Sequence, residues 1–201
     1  MKSYLSNSRL FREFEAYVFD KLDGSNLRFE WHRKRGWCKY GTRHRLFDES
    51  DPVFGMAITQ FHNEFATGLS DIFKSERYES AVAFCEFWGP NSFAGNHDSS
   101  DVKNLTLFDV SSHRTGLLGP REFLKLYGHM NIPKFLGKAN WTRGFVERVY
   151  NGEVDGVTFE GVVGKAKESK HDLIMAKAKS RIWIDKVRSV HGAAAELIIN
   201  S

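Results

Sequence analysis

Residues 53–73 are the one long stretch of this chain with helical spacing. Phe54, Ile58, Phe61, Phe65, Leu69 and Ile72 recur every three or four positions and fall on a single stripe. Pro52, just ahead, marks the start of such a helix, because its fixed φ suits the first turn and its missing N–H costs nothing there. Around this helix lie short alternating or β-branched runs near 16–20, 26–32, 36–42, 80–88, 104–111, 157–165 and 173–179. Shorter helices are predicted at 121–127, 142–150 and 181–190. Strands dominate, and the helices fall between non-adjacent strands instead of alternating with each one. That order favours a largely antiparallel, two-sheet α+β domain with flanking helices over a doubly wound parallel sheet.

A chain of 201 residues that is 41% hydrophobic has enough apolar material to bury a full core, which argues against disorder. Lys and Arg total 29 against 25 Asp and Glu, a net charge of +4 that suits a polyanionic partner without requiring one. Cys38 and Cys85 sit in strand-like runs with no metal-ligand spacing, and read as reduced, buried thiols of a cytoplasmic protein. The N-terminal MKSYLSNSRLFREFE carries charges where a signal peptide needs an apolar core. No run approaches the roughly 20 apolar residues of a membrane span, so a soluble, intracellular protein with no membrane partner is expected. None of the eight histidines falls in a zinc-site pattern, and His32, His44, His97 and His113 read as surface or packing residues.

Several charged side chains stand out against their surroundings. Lys21 ends an apolar run and precedes Asp23 and Gly24, so a strand runs into a tight turn that presents an amine and leaves room for a ligand to approach the glycine backbone. Glu86 in AFCEFWGP and Glu160 in VTFEGVVGKA are acids inside apolar runs, where a carboxylate needs a partner if it points inward. Lys177 and Lys179 are two apart in LIMAKAKS and leave the same face of a strand. Two parallel ammonium groups repel unless an anion lies near them, and a triphosphate is such an anion.

Taken in order, KLDGSN, GTRHR, CEFWGP, LTLFDV, FEGVVGKA and AKAKS resemble the motifs of the ATP-dependent polynucleotide ligases and mRNA capping enzymes, across roughly residues 15–190. The resemblance implies an ATP-grasp-like nucleotidyltransferase fold, with residues 1–180 as the adenylyltransferase domain and 181–201 as a short helical tail in place of a full accessory domain. It implies Lys21 as the nucleophile that attacks the α-phosphate of ATP and becomes lysyl-AMP, assisted by Lys177 and Lys179. It gives Glu160 the organisation of a metal, Mg²⁺ or Mn²⁺, near the reacting phosphate. Nucleotide contacts are implied for Asp23, Gly24, Asn26, Arg43, Glu86 and Phe108, with Glu86 on the ribose and Phe108 stacked on the purine. A free lysine is protonated at neutral pH, so nearby positive charge from Lys177, Lys179 and a metal is expected to favour its neutral form.

Within that group, Glu-Gly-Val-Val at Glu160 resembles ligases more than capping enzymes. CEFWGPNSFAGNH and Asn26 resemble RNA ligases more than DNA ligases. The expected activity is ATP-dependent RNA end joining, through lysyl-AMP formation, AMP transfer to a 5′-phosphate and sealing to a 3′-hydroxyl. The alternatives are a DNA ligase core and a non-sealing nucleotide- or RNA-binding relative. The expected partners are RNA ends, in a nicked duplex or in DNA as variants, together with a separate nucleic-acid-binding domain or protein. Arg181, Lys186 and Arg188 of the tail either touch RNA phosphates or ride on a helix packed against the core. Trp31, Trp37 and Trp88 either stack bases or, as their apolar runs favour, pack inside.

Overall fold

The computed structural model describes residues 11–169 and 173–200. The first ten residues of the charged N-terminal segment and Ser201 of the tail lie outside the described residues. In chain order the strands are β1 (Phe14–Lys21), β2 (Ser25–His32), β3 (Gly36–Thr42), β4 (Leu46–Phe47), β5 (Ser80–Trp88), β6 (Asn104–Ser112), β7 (Gly116–Leu117), β8 (Phe135–Trp141), β9 (Gly161–Lys167) and β10 (Leu173–Lys179). The helices are α1 (Gly55–Phe61), α2 (Thr67–Ser75), α3 (Pro120–Tyr127), α4 (Arg143–Asn151), α5 (Arg181–His191) and α6 (Ala195–Ile199). They form two compact units, one reaching Asp23 and resuming at Pro133, the other Gly24–Ile132. Each unit has its own antiparallel sheet, so the fold is the two-sheet α+β arrangement that the strand pattern predicts.

The first unit holds the sheet β10-β9-β1-β8. Ala16 and Val18 of β1, Val162 of β9, and Ala176 and Ala178 of β10 point to one face, where Phe145 and Val149 of α4 and Trp141 cover them. Thr142 caps α4 by accepting a hydrogen bond from the Phe145 N–H, and Gly152 closes it in the left-handed conformation. β8 escapes sequence prediction because FLGKANW lacks alternation; it is an edge strand whose register slips opposite Val18 and Phe19. β9 begins at Gly161, four residues later than its β-branched run suggests, because Thr158 and Phe159 are held outside the ladder by side-chain partners described below. Residues 181–200 group with this unit, and α5 buries Trp183 and Val187.

The second unit holds β4-β3-β2-β5-β6-β7. Leu27, Phe29 and Trp31 of β2 and Ala81, Ala83, Cys85 and Phe87 of β5 face a core shared with α1 and α2. The predicted helix is split: α1 and α2 are joined by a π-helical turn, His62–Ala66. Phe61, Phe65, Leu69 and Phe73 are spaced four apart, more than the 3.6 residues of an α-turn, and the wider turn keeps all four rings and chains buried. This phase puts Phe73 fully inside and leaves Ile72 half-buried. At the start, Asp51 accepts hydrogen bonds from the N–H groups of Val53 and Phe54, so Pro52 lies in a turn ahead of the first helical residue.

Both cysteines are free. Cys85 is buried, and burial pushes its thiol up. Cys38 departs from expectation: it is half-buried, because a register shift makes it the extra residue of a bulge in β3, between Lys39 opposite Glu30 and Trp37 opposite Trp31. Trp31 and Trp37 pack on the core, whereas Trp88 lies on the other face of the sheet and donates to the Thr106 hydroxyl at 3.0 Å. Among the described residues, no helix is long and apolar enough to cross a membrane.

Candidate active site

In the first unit, Lys21 and Lys179 both pair with Gly161 in the β1–β9 and β10–β9 ladders, so the last residues of two strands flank the first residue of a third. Glu160 directly precedes that glycine. Its Oε2 accepts a hydrogen bond from Lys21 Nζ at 2.7 Å, and its Oε1 lies 3.6 Å from Lys179 Nζ. The carboxylate is 5% exposed and the Lys179 side chain 8%, while Lys21 retains 23%. A buried carboxylate between two ammonium groups is compensated by both, and each lysine offsets the desolvation of the acid.

Gly161 makes this closeness possible. It adopts φ +143°, and a Cβ there would overlap the Ala178 carbonyl and lie 2.8 Å from the Lys179 Cα. Asp20 fixes the other side. Fully buried, it accepts hydrogen bonds from the Thr158 N–H at 2.9 Å and the Thr158 hydroxyl at 2.8 Å, pinning the residues that lead into Glu160 against the end of β1. Ser180 completes the brace, since its hydroxyl donates to the Phe159 carbonyl and its N–H to the Glu160 carbonyl. Asp20, Thr158 and Ser180 escaped the sequence reading. The only signal in the chain is an acid directly ahead of the lysine, which spacing alone cannot match to a threonine 138 residues away.

Lys179 has further neighbours. Its ammonium stands 4.2 Å from the centroid of the Trp183 ring and donates to the Ile198 carbonyl at 3.2 Å. Burial pulls its pKa below the usual lysine value; Glu160 opposes that shift and the positive charge of Lys21 adds to it. The Trp183 indole N–H donates to Asp23 at 2.7 Å, which gives Asp23 a role in holding the turn after Lys21. Lys177 is half-buried on the same face as Lys179, and the two line a cavity of about 530 Å³ with Arg143, Tyr150, Ile184 and Asn200. The structure therefore brings Lys21, Asp23, Glu160, Lys177 and Lys179 into one unit, and it supplies Lys179 with an anion from the protein itself.

In the second unit, Asn26 and Glu86 are directly opposite in the β2–β5 ladder, both half-buried on the face turned away from α1 and α2. Phe108 shares this side: Leu105 and Leu107 enter the core, and Phe108 is the extra residue of a bulge between Leu107 and Asp109. Its ring lies 6.3 Å from that of Phe84. The bulge shifts the phase so that Val110 faces the core, and it leaves an aromatic surface outside it. Arg43 is exposed just after β3. Arg28, two residues along from Asn26 and on its face, was missed; its guanidinium donates to Glu30 and to the Thr42 carbonyl. Gly24 has a simpler reason than ligand access: a Cβ there would run into the Phe87 carbonyl and lie 2.8 Å from Trp88 Cβ.

Among the described residues no three His, Cys, Asp or Glu side chains cluster as a ready-made metal cage. Glu160 is a single carboxylate, a donor set that fits a Mg²⁺ ion taking its other ligands from phosphates and water.

No protein-family model and no curated protein sequence matches the chain. Solved structures do match its fold. An RNA ligase of Naegleria gruberi, as a point mutant with ATP and Mn, superposes with a TM-score of 0.63 at 16% identity, covering 86% of this chain and 51% of that one. The same ligase with PPi gives 0.61 at 16%, covering 87% and 52%. A protein of Aquifex aeolicus described as an ATP-dependent DNA ligase gives 0.59 at 16%, covering 92% and 51%. The chain thus has the fold of the nucleotidyltransferase domain of ATP-dependent ligases and spans about half the length of these relatives in structure.

Proposed function

We propose that this chain is the nucleotidyltransferase of an ATP-dependent RNA ligase, with Lys21 as the nucleophile. The observation that carries the reading is the trio of Lys21, Glu160 and Lys179, with Lys21 Nζ 2.7 Å from a buried carboxylate. A surface lysine would not be given a buried counter-charge of this kind at the cost of desolvating it.

In the first step Lys21 must lose a proton to solvent, and Glu160 Oε2, within hydrogen-bond reach, holds the amine in place. The neutral amine attacks the α-phosphorus of ATP, a nitrogen–phosphorus bond forms, and the bond to the bridging oxygen breaks to release pyrophosphate. Lys177 and Lys179 supply fixed positive charge for the phosphate oxygens, and positioning of this kind is the main protein contribution to phosphoryl transfer. Glu160 would hold Mg²⁺ together with the phosphates, and the ion when bound neutralises triphosphate oxygens. The adenylyl group then passes to a 5′-phosphate, and a 3′-hydroxyl displaces AMP to leave a phosphodiester. Phe108 supplies a ring for stacking the purine, and Glu86, with Asn26 opposite it, supplies acceptors and donors for the ribose. Asn26 and the CEFWGP segment favour RNA over DNA ends.

Incubation with ATP labelled at the α-phosphate and Mg²⁺, followed by denaturing electrophoresis, tests the first step. Wild type retains the label and Lys21→Ala retains none; equal label in both, or none in wild type, defeats the reading. Nicked RNA–RNA, RNA–DNA and DNA–DNA duplexes then rank the ends sealed, and sealing of DNA nicks alone selects the DNA ligase reading.

A further inference from the structure

Residues 24–132 contain thirteen Lys and Arg and thirteen Asp and Glu, so this unit is neutral as a whole. Its charge is nevertheless segregated. At one end of the six-stranded sheet, three turns come together: residues 33–35 between β2 and β3, residues 76–79 between α2 and β5, and residues 113–115 between β6 and β7. The Arg33 N–H donates to the Glu79 carbonyl at 2.9 Å, the His113 N–H to the Ser80 carbonyl at 3.0 Å, and the Glu79 N–H to the His113 ring at 3.2 Å. These turns carry Arg33, Lys34, Arg35, Arg77 and Arg114, all exposed, with Lys74 at the end of α2. Among the described residues, none of the first five makes an ion pair; Lys74 has a loose one with Asp71 at 3.9 Å. Against these six cations stand Asp71, Glu76 and Glu79, with Glu122 of α3 facing Tyr78 beside them.

Ordinary solvated turns do not require segregation. Three backbone turns fastened to one another, each presenting arginine or lysine outward, form a fixed array of positive charge on a rigid sheet end, which suits a chain of regularly spaced phosphates. Position strengthens the match. The Asn26–Glu86 pair lies at the other end of β2, six residues from His32, or about 20 Å at 3.3 Å per residue. That is about six steps of a DNA duplex at 3.4 Å per step, and a slightly longer run of the more compact RNA duplex.

We propose that the Arg33–Lys34–Arg35 turn, with Arg77 and Arg114, is a docking surface for the phosphate backbone of duplex nucleic acid. Duplex RNA is the expected occupant, since it is recognised through phosphates and shape more than through base edges. The inference rests on the nucleic-acid reading given above, and its test separates the two.

The probe is a nicked RNA–RNA duplex, titrated against full chains of wild type, Arg33→Gln/Lys34→Gln/Arg35→Gln, and a five-site variant adding Arg77→Gln and Arg114→Gln, over a range of salt. Each lost phosphate contact should flatten the slope of log K against log salt by about 0.9, so the triple variant is expected to lose about two to three units of slope and at least tenfold in affinity at low salt. Labelling of Lys21 by ATP that survives denaturing electrophoresis should be unchanged in both variants, which also shows that they fold. Unchanged slope and affinity in labelling-competent variants overturn the docking surface and leave the ligase reading intact. Failure of wild type to take label while the slope still changes removes the ligase reading and keeps the surface.

Discussion

Among the described residues, the sheet of the first unit rests on a core of eight buried apolar residues, whereas that of the second rests on twenty-two, rich in phenylalanine. Yet the smaller core is the one beside which Asp20, Glu160, Lys165 and the side chain of Lys179 are buried. In the second unit Asp109 of β6 is buried too, and the buried pair Lys103–Asp101, 3.3 Å apart, sits in the 89–103 loop, but the helix-facing side of the sheet is almost wholly apolar. Stability and chemistry are thus divided. The second unit draws on stacked rings such as Phe29 and Phe61, with centroids 3.9 Å apart, and can leave its other face for recognition. The first unit spends part of a modest core on charges that stabilise the fold only as long as all of them are present.

Breaking the trio is the sharpest way to test that contrast. Glu160→Ala strands Lys179 in a dry site, and removal of one partner from a buried pair costs about 3–5 kcal/mol. Urea unfolding should show that loss, and Lys21 labelling should fall by at least about a hundredfold, the scale of removing a preorganised electrostatic group. Glu86→Ala, on the half-buried face of the second unit, should leave stability within about 1 kcal/mol and raise the ATP concentration needed for labelling. Equal destabilisation by the two variants would erase the distinction between the units.

The reciprocal experiment is Phe61→Ala. Loss of a fully buried ring from the aromatic core should cost about 3–5 kcal/mol, with the labelling rate of the folded fraction near wild type. A labelling rate that collapsed in parallel would show that the large core serves chemistry as directly as the small one.

The smallest effect concerns pH. His97, in the second unit, is held by the Ser25 hydroxyl at 2.8 Å and the Ser92 hydroxyl at 3.2 Å, and burial, with help from Lys103, lowers its pKa below 6.5. The unfolded chain therefore binds a proton that the folded chain resists. The stability this residue contributes is complete above pH 6.5 and declines as pH falls through that value toward the folded one. Urea midpoints at pH 7.5 and 5.5 should differ less in His97→Gln than in wild type, and an equal difference would assign the pH dependence to other groups. The sequence treats His97 as a surface or packing residue; its two serine partners, five and 72 positions away, are what change that description.

Much of the architecture was legible because periodicity reports burial. The β2, β3, β5 and β10 bounds match their runs closely, and α3, α4 and α5 start or end within a residue of their apolar stripes. The misses have local causes. β8 has no pattern to read, the π-turn absorbs a four-residue spacing that an ideal helix cannot, and the 157–160 segment leaves the ladder for side-chain partners. The motif lysines and acids were legible as charges in apolar surroundings, but their partners were not.

The order of residue types along the chain determined two antiparallel sheets, one long helical stretch and a set of charges too costly to bury alone, because alternation and hydrophobicity are properties of neighbouring positions. Which charges meet was decided only in three dimensions. Lys21, Glu160 and Lys179 come from three strand ends, up to 158 positions apart, and they meet because Gly161 lets β9 close against β10 while Asp20 grips Thr158. Pairwise Coulomb energy depends on ångström separations, and no spacing along a sequence encodes those.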